Sequence, residues 1–245
     1  MSIFPTKVLL ATDGSEDAEL AATTAVGLAK LTESELHVLA AAPGYPSYDV
    51  RVPEVVEELR KQAEVILEEQ VKKIERAGGE VAQTHVRLGD ASKEVVNLAE
   101  EVGVGLIVMG SRGLGGIRRA LMGSVSDSVV RHAHCPVLVV RGESVSFPTK
   151  ILLATDGSKE AELAASTAAD LASSTGSELH VLSVFPGSAY VHPYYEVRFP
   201  EAAERLRREA REERQEMLDE QVERIREAGA ASRRRTSGRE RRLRR

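Results

Sequence analysis

The chain reads as α/β: a five-stranded parallel sheet sandwiched by helices, followed by an incomplete second copy of the same design. Three observations lead there. Short apolar runs end in Gly, Asp and Ser turns. Stretches with helical spacing separate them. And residues 4–25, FPTKVLLATDGSEDAELAATTA, return as residues 147–168, FPTKILLATDGSKEAELAASTA, at an offset of 143. An offset that long is a whole domain, not a solenoid unit.

Each element of the first copy has its own justification. Lys7–Ala11 is an apolar run that closes on Thr-Asp-Gly-Ser, a buried strand and its turn. Ser15 is placed to cap a helix with small or apolar residues at Ala18, Ala21, Ala22, Ala25 and Leu28. Leu36–Ala41 is a second buried strand. Pro53–Ala77 is a long helix striped by Val56, Leu59, Ala63, Ile66 and Leu67 and ended by Gly78-Gly79. Val81–Leu88 alternates as a third strand, Ser92–Val102 is a helix, and Leu106–Met109 is a fully apolar fourth strand. Ser124–His132 is a helix and Val137–Val140 the fifth strand. Strands alternating with helices mean a parallel sheet covered on both faces, with right-handed crossovers. Spacing does not reveal strand order. One candidate is the flavodoxin/Rossmann-like order 3-2-1-4-5, which makes strands one and four neighbours with diverging loops and so puts a ligand crevice at their carboxyl ends.

The repeat sets domain boundaries: a complete domain over 1–143, a partial copy over 144–231 and an arginine-rich tail over 232–245. Glu69-Gln70-Val71 returns as Glu220-Gln221-Val222 at an offset of 151, so eight residues are inserted, most simply around Val191–Tyr195. The correspondence ends at Ala228-Gly229, which leaves the second copy short of about 60 residues of the first and with two of five strands, too few to bury a core alone. It is then expected to pack on other surface or stay partly ordered. The tail holds eight Arg and one Glu, resembles nothing in the first copy, and reads as disordered sequence of truncated or out-of-frame origin.

Composition bounds the function classes. The 245 residues are 42% hydrophobic, 29% charged and only 4% aromatic, with no Trp and a net charge of −5, which fits a soluble protein whose core is Ala, Val, Leu and Ile. No apolar run approaches the roughly 20 residues of a membrane span, and the N-terminus lacks signal-peptide character. The lone Cys135 excludes an internal disulfide framework. A reducing cytoplasm is the expected location.

The chemistry-bearing segment follows strand four: Gly110-Ser111-Arg112-Gly113, then Gly123-Ser124-Val125-Ser126 at a helix start, a Gly-x2-Gly-x9-Gly-Ser pattern. Gly110 and Gly113 permit close backbone approach to a ligand. The helix N-terminus offers N–H groups and dipole to phosphate, and Ser124 and Ser126 add hydroxyls. Asp13, at the end of strand one, can accept hydrogen bonds from ribose hydroxyls or serve only as a turn residue. Arg112, Arg118 and Arg119 either meet phosphates or form a solvated loop face. His132, His134 and Cys135 lack further ligands for zinc, and His37 and His180 lie within apolar strands as structural residues.

The opening Val-Leu-Leu-Ala-Thr-Asp-Gly-Ser, the glycine pattern and the close His134-Cys135-Pro136-Val137-Leu138-Val139-Val140 together resemble the nucleotide-binding branch of the universal stress protein family, over residues 4–141 and the first half of a second domain. The resemblance implies the sheet order 3-2-1-4-5, a homodimer and an ATP site, with Mg2+ accompanying the nucleotide. It implies that Ala11, Thr12, Asp13 and Val38 hold adenosine, and that Met109, Gly110, Arg112, Gly113, Gly123, Ser124, Val125 and Ser126 hold ribose and phosphates. In the second copy Ala154, Thr155, Asp156 and Val181 match the adenosine half, but no glycine pattern follows, so ATP is expected in the first copy only.

The function expected is a nucleotide-responsive stress module. A weak ATPase is a second reading, limited to slow hydrolysis because no obvious base and no GxxxxGK[ST] loop occur. A nucleotide-independent dimeric interaction protein is a third. A ligase of the ATP-pyrophosphatase type is disfavoured, because Thr-Asp-Gly-Ser-Glu-Asp stands where such enzymes carry Ser-Gly-Gly-x-Asp-Ser. Nucleic acid and membrane partners are not expected.

Overall fold

The computed structural model describes Phe4 and residues 6–43, 53–114, 122–142, 149–184, 193–227 and 242–243. The chain forms two compact units, one ending at Phe147 and the other beginning at Pro148.

In the first unit, β1 (Lys7–Thr12), β2 (Glu35–Pro43), β3 (Gln83–Gly89), β4 (Leu106–Gly110) and β5 (Val137–Val140) alternate with α1 (Glu16–Thr32), α2 (Pro53–Arg76), α3 (Ala91–Val102) and α4 (Ser124–His132). The sheet order is β3-β2-β1-β4-β5, every pair parallel. This is the order that sets β1 beside β4. Helix ends follow local chemistry. Ser15 caps α1 by accepting from the Ala18 N–H, and the Asp90 carboxylate caps α3 through the Ser92 and Lys93 N–H groups.

Alternation along the strands divides the core. Leu9, Leu39, Ile107 and Met109 lie on one face with Val95, Leu98 and Ala99 of α3 and Val129 of α4. Val8, Leu10, Val38 and Val108, all fully buried, occupy the alternate positions of the same strands. The predicted structural role of His37 has a specific form: it is buried, and its Nδ1 lies 3.2 Å from Nε2 of His85 on β3, the rings stacked with centroids 5.5 Å apart.

The second unit contains β6 (Lys150–Ala154), α5 (Lys159–Thr175), β7 (Glu178–Leu182), α6 (Pro193–Arg198), α7 (Pro200–Glu227) and β8 (Arg242–Leu243). These include counterparts of β1, α1, β2 and α2 only. Of Val191–Tyr195, where the eight-residue insertion is expected, residues 191 and 192 lie outside the described residues and 193–195 begin α6. Two expectations need correcting. The sheet has three strands rather than two, in the order β6-β7-β8. And the arginine-rich tail is not wholly without structure, since Arg242–Leu243 pairs antiparallel with β7 through Leu179↔Leu243 and His180↔Arg242; the rest of the tail lies outside the described residues. One face has a core of Leu153, Leu179, Val222, Ile225 and Ala165, Ala168, Ala169 and Ala172 of α5.

Candidate nucleotide site

A cavity of about 450 Å³ opens where β1 and β4 end in the first unit. Ala11, Thr12 and Asp13 line it from β1. Met109, Gly110, Arg112, Gly113 and Leu114 line it from β4 and its loop, and Met122, Gly123, Ser124, Val125 and Ser126 from the start of α4. Leu39, Ala41, Ala18, Ala91 and Val95 complete an apolar wall. Two segments about 100 residues apart in sequence therefore meet, because the parallel register sets Ala11 against Met109.

Of the residues expected in the site, Val38 alone is absent from the lining. It is fully buried and pairs with Leu10 on the opposite face of the sheet, while Leu39 and Ala41 turn β2 toward the cavity. The alternation of side chains turns the Val38 side chain away from the cavity once Ala11, whose register partner is Leu39, lines it. Arg118 and Arg119 lie outside the described residues.

The loops are joined by carboxylates. Asp13 accepts from the Ser15 N–H with Oδ1 (3.1 Å) and from the Leu114 N–H with Oδ2 (3.0 Å). The Ser15 hydroxyl donates to the Arg112 carbonyl (3.3 Å). Asp17, which no sequence motif singles out, accepts with Oδ2 from the Ser111 hydroxyl (2.7 Å), the Arg112 N–H (3.1 Å) and the Arg112 Nε (3.4 Å). Burial pushes the Asp17 carboxyl up, but the bonds from Ser111 and Arg112, with the guanidinium charge, outweigh it and hold the group below the ordinary aspartate value. In the sequence an acidic residue in the first turn of a helix reads as a partner of the helix dipole. Its long-range partners have no local signal.

The glycines also have steric reasons within the protein itself. A Cβ at Gly110 would sit 2.7 Å from the Asp17 carbonyl carbon and 2.8 Å from the Ala18 nitrogen, so the close approach is to the backbone of α1. A Cβ at Gly113 would collide with Asp13 Oδ2. The Ser126 hydroxyl, expected to face a ligand, is buried and donates to the Ser111 carbonyl (2.9 Å) and lies 3.0 Å from the Gly123 carbonyl. Ser124 is exposed. Gly123 caps α4 without a side chain, so the first N–H groups of that helix border the cavity with no capping side chain over them.

Little here resembles a metal centre. Among the described residues no three His, Cys, Asp or Glu side chains cluster as metal ligands. His132 Nδ1 lies 2.7 Å from the Ser128 carbonyl and His134 Nε2 lies 2.8 Å from Glu100. Burial pushes the Cys135 thiol up. No helix among the described residues is long and apolar enough to cross a membrane.

Known proteins share this architecture. The model of the universal stress protein family matches residues 5–141 and again 148–241, the second match running past Gly229 where the internal repeat fades. A Staphylococcus haemolyticus protein carrying the universal stress protein name is 37% identical over 142 residues, covering 56% of this chain and 86% of that protein. The crystal structure of a universal stress protein from Archaeoglobus fulgidus aligns with a TM-score of 0.62 at 28% identity, covering 82% of this chain and 75% of that one. A universal stress protein solved in complex with cAMP aligns with a TM-score of 0.45 at 30% identity over 56% of this chain and 97% of that one. With two family matches that together span most of its length, and with a sheet ordered 3-2-1-4-5, the chain belongs to the universal stress protein family.

Proposed function

We propose that the first unit binds an adenine nucleotide, ATP in the first instance, in the crevice between β1 and β4, and that the protein is a nucleotide-responsive module rather than an efficient hydrolase. The observation that carries this reading is the convergence of the Thr12-Asp13 turn, the Arg112-Gly113 loop and the N-terminus of α4 on one cavity. The apolar wall of Leu39, Ala41, Val95 and Met109 suits a base. The free N–H groups of α4 and the Arg112 guanidinium suit phosphate. Asp13 is the only carboxylate among the described residues that line the cavity, and each of its oxygens already accepts a main-chain N–H, so the hydrolysis expected is at most slow. Mg2+ would enter on the phosphates, because no carboxylate cluster among the described residues is built to hold it. The homodimer implied by the resemblance belongs to the same proposal and is tested by light scattering.

The test is to heat the purified full chain and quantify the nucleotide released per chain. The expected value is about one, by the single-site reading. Gly113→Val, whose side chain collides with Asp13, abolishes binding and keeps the circular dichroism of the folded protein. Asp156→Ala, at the position matching Asp13 in the second unit, leaves the stoichiometry unchanged. A wild-type chain that neither releases nucleotide nor binds added MgATP by calorimetry would replace this reading with that of a nucleotide-independent interaction protein.

A further inference from the structure

Asp17 is not among the residues that line the cavity, yet it is tied to one that does. A single carboxylate oxygen takes three donors, all from the loop after β4: the Ser111 hydroxyl, the Arg112 N–H and the Arg112 Nε. The Arg112 carbonyl is held as well, by the Ser15 hydroxyl. Both main-chain polar groups of Arg112 are thus fixed to the start of α1. Gly110 brings the two backbones into contact, leaving no room for an intervening side chain. The Asp17 side chain is 15% exposed, so its interaction with the guanidinium is shielded from solvent. Only Nε of that guanidinium is engaged among the described residues. Its two terminal nitrogens retain their donors, and Arg112 borders the cavity.

From this geometry we infer that Asp17 is a positioning residue for the phosphate side of the site: it grips Arg112 by the main chain and by Nε, and so presents the terminal guanidinium nitrogens to an anionic group of the ligand. The inference rests on the nucleotide reading above and deepens it. A planar guanidinium held at one nitrogen loses rotamer freedom before the ligand arrives, which lowers the entropy cost of binding phosphate. The base and ribose, lying against other walls, gain nothing from Asp17. The consequence is a split by ligand charge.

Calorimetry with ADP and with adenosine on the full chain reads that split. Asp17→Asn keeps an oxygen that accepts from Ser111 and the Arg112 N–H but removes the charge that holds Nε. It lowers ADP affinity about tenfold and changes adenosine affinity by less than about twofold. Arg112→Gln produces the same selective loss, and adding Asp17→Asn to it produces no further loss. Equal weakening of ADP and adenosine by Asp17→Asn would reduce Asp17 to a structural tie, and tighter ADP binding would make it a competitor of phosphate for Arg112; either overturns the inference. So does a loss that persists in the Arg112→Gln background. A wild-type chain that binds neither ligand fails the nucleotide reading itself, whereas binding without the split fails only the role of Asp17.

Discussion

Leu9 of β1 and Leu152 of β6 occupy the same place in the repeat, and they meet opposite fates. Leu9 is fully buried; Leu152 is 63% exposed. Leu39 and Leu182 differ in the same way, at 1% and 43%. On the other face the two units agree: Leu10 and Leu153 are both buried, as are Leu36 and Leu179. The strands are nearly identical in sequence, so strand sequence cannot account for the difference. What differs is the cover. In the first unit α3 and α4 lie on the Leu9 face, whereas in the second no helix among the described residues corresponds to them. The comparison teaches that a continuous apolar strand of a parallel sheet states a demand for cover on both faces and does not itself supply it.

The largest expected effect tests that comparison directly. Leu9→Ala should cost the first unit about 2–5 kcal/mol, as cavity formation in a packed core does. Leu152→Ala should change the second unit by no more than about 0.5 kcal/mol. Native-state hydrogen exchange resolved to the β1 and β6 amides separates the two units. A large cost at Leu152 would mean that this face is covered in solution.

A smaller effect sharpens the comparison at a pair of buried amides. Gln70 accepts a hydrogen bond from the Thr12 hydroxyl at 3.1 Å. Its counterpart Gln221 is 2% exposed, and neither Oε1 nor Nε2 has a partner among the described residues. Gln70→Leu leaves the Thr12 hydroxyl proton without its acceptor, though its oxygen keeps the Gly14 N–H, and should cost about 1–3 kcal/mol, while Gln221→Leu should be neutral or stabilising. Equal costs at both sites, measured by the same exchange, would show that Gln221 has a partner in solution.

The smallest effect is in pH. His85 of β3 has no counterpart beside His180 among the described residues. Burial, with the neighbouring His37 and Arg87, lowers the His85 pKa below its ordinary 6.5, against a smaller upward pull from Glu101. The folded state therefore binds its proton later than the unfolded chain does. This part of the stability is complete above about pH 6.5 and is lost as pH falls below it toward the depressed folded value. Denaturant unfolding of the first unit should thus weaken on acidification from pH 7 to 5, and His85→Asn should flatten the slope. An unchanged slope would remove His85 as its source.

Much of the first unit is legible in its amino-acid pattern. The helix Ser124–His132 and the strand Val137–Val140 appear at the bounds their sequence implies, because caps, glycines and apolar period are local signals. Strand order is one candidate among arrangements, since pairing is a long-range choice. The candidate site is legible as residue types on two loops, and Val38 shows where that stops. The family resemblance places it at the adenosine half, but only the register with β1 decides which parity of β2 faces the cavity. Asp17 escapes notice for the same reason, because its partners lie 94 and 95 residues away.

By itself the sequence determined the elements, the repeat and the pairing of a Thr-Asp-Gly-Ser turn with a glycine-rich loop, since each depends on neighbours within a turn or a strand. Tertiary structure alone decided what a side chain at Gly110 or Gly113 would meet, which face of β2 meets the cavity, and which copies of one leucine are buried. Those outcomes depend on what another segment brings within a few ångströms, and close packing makes such distances a property of the whole fold.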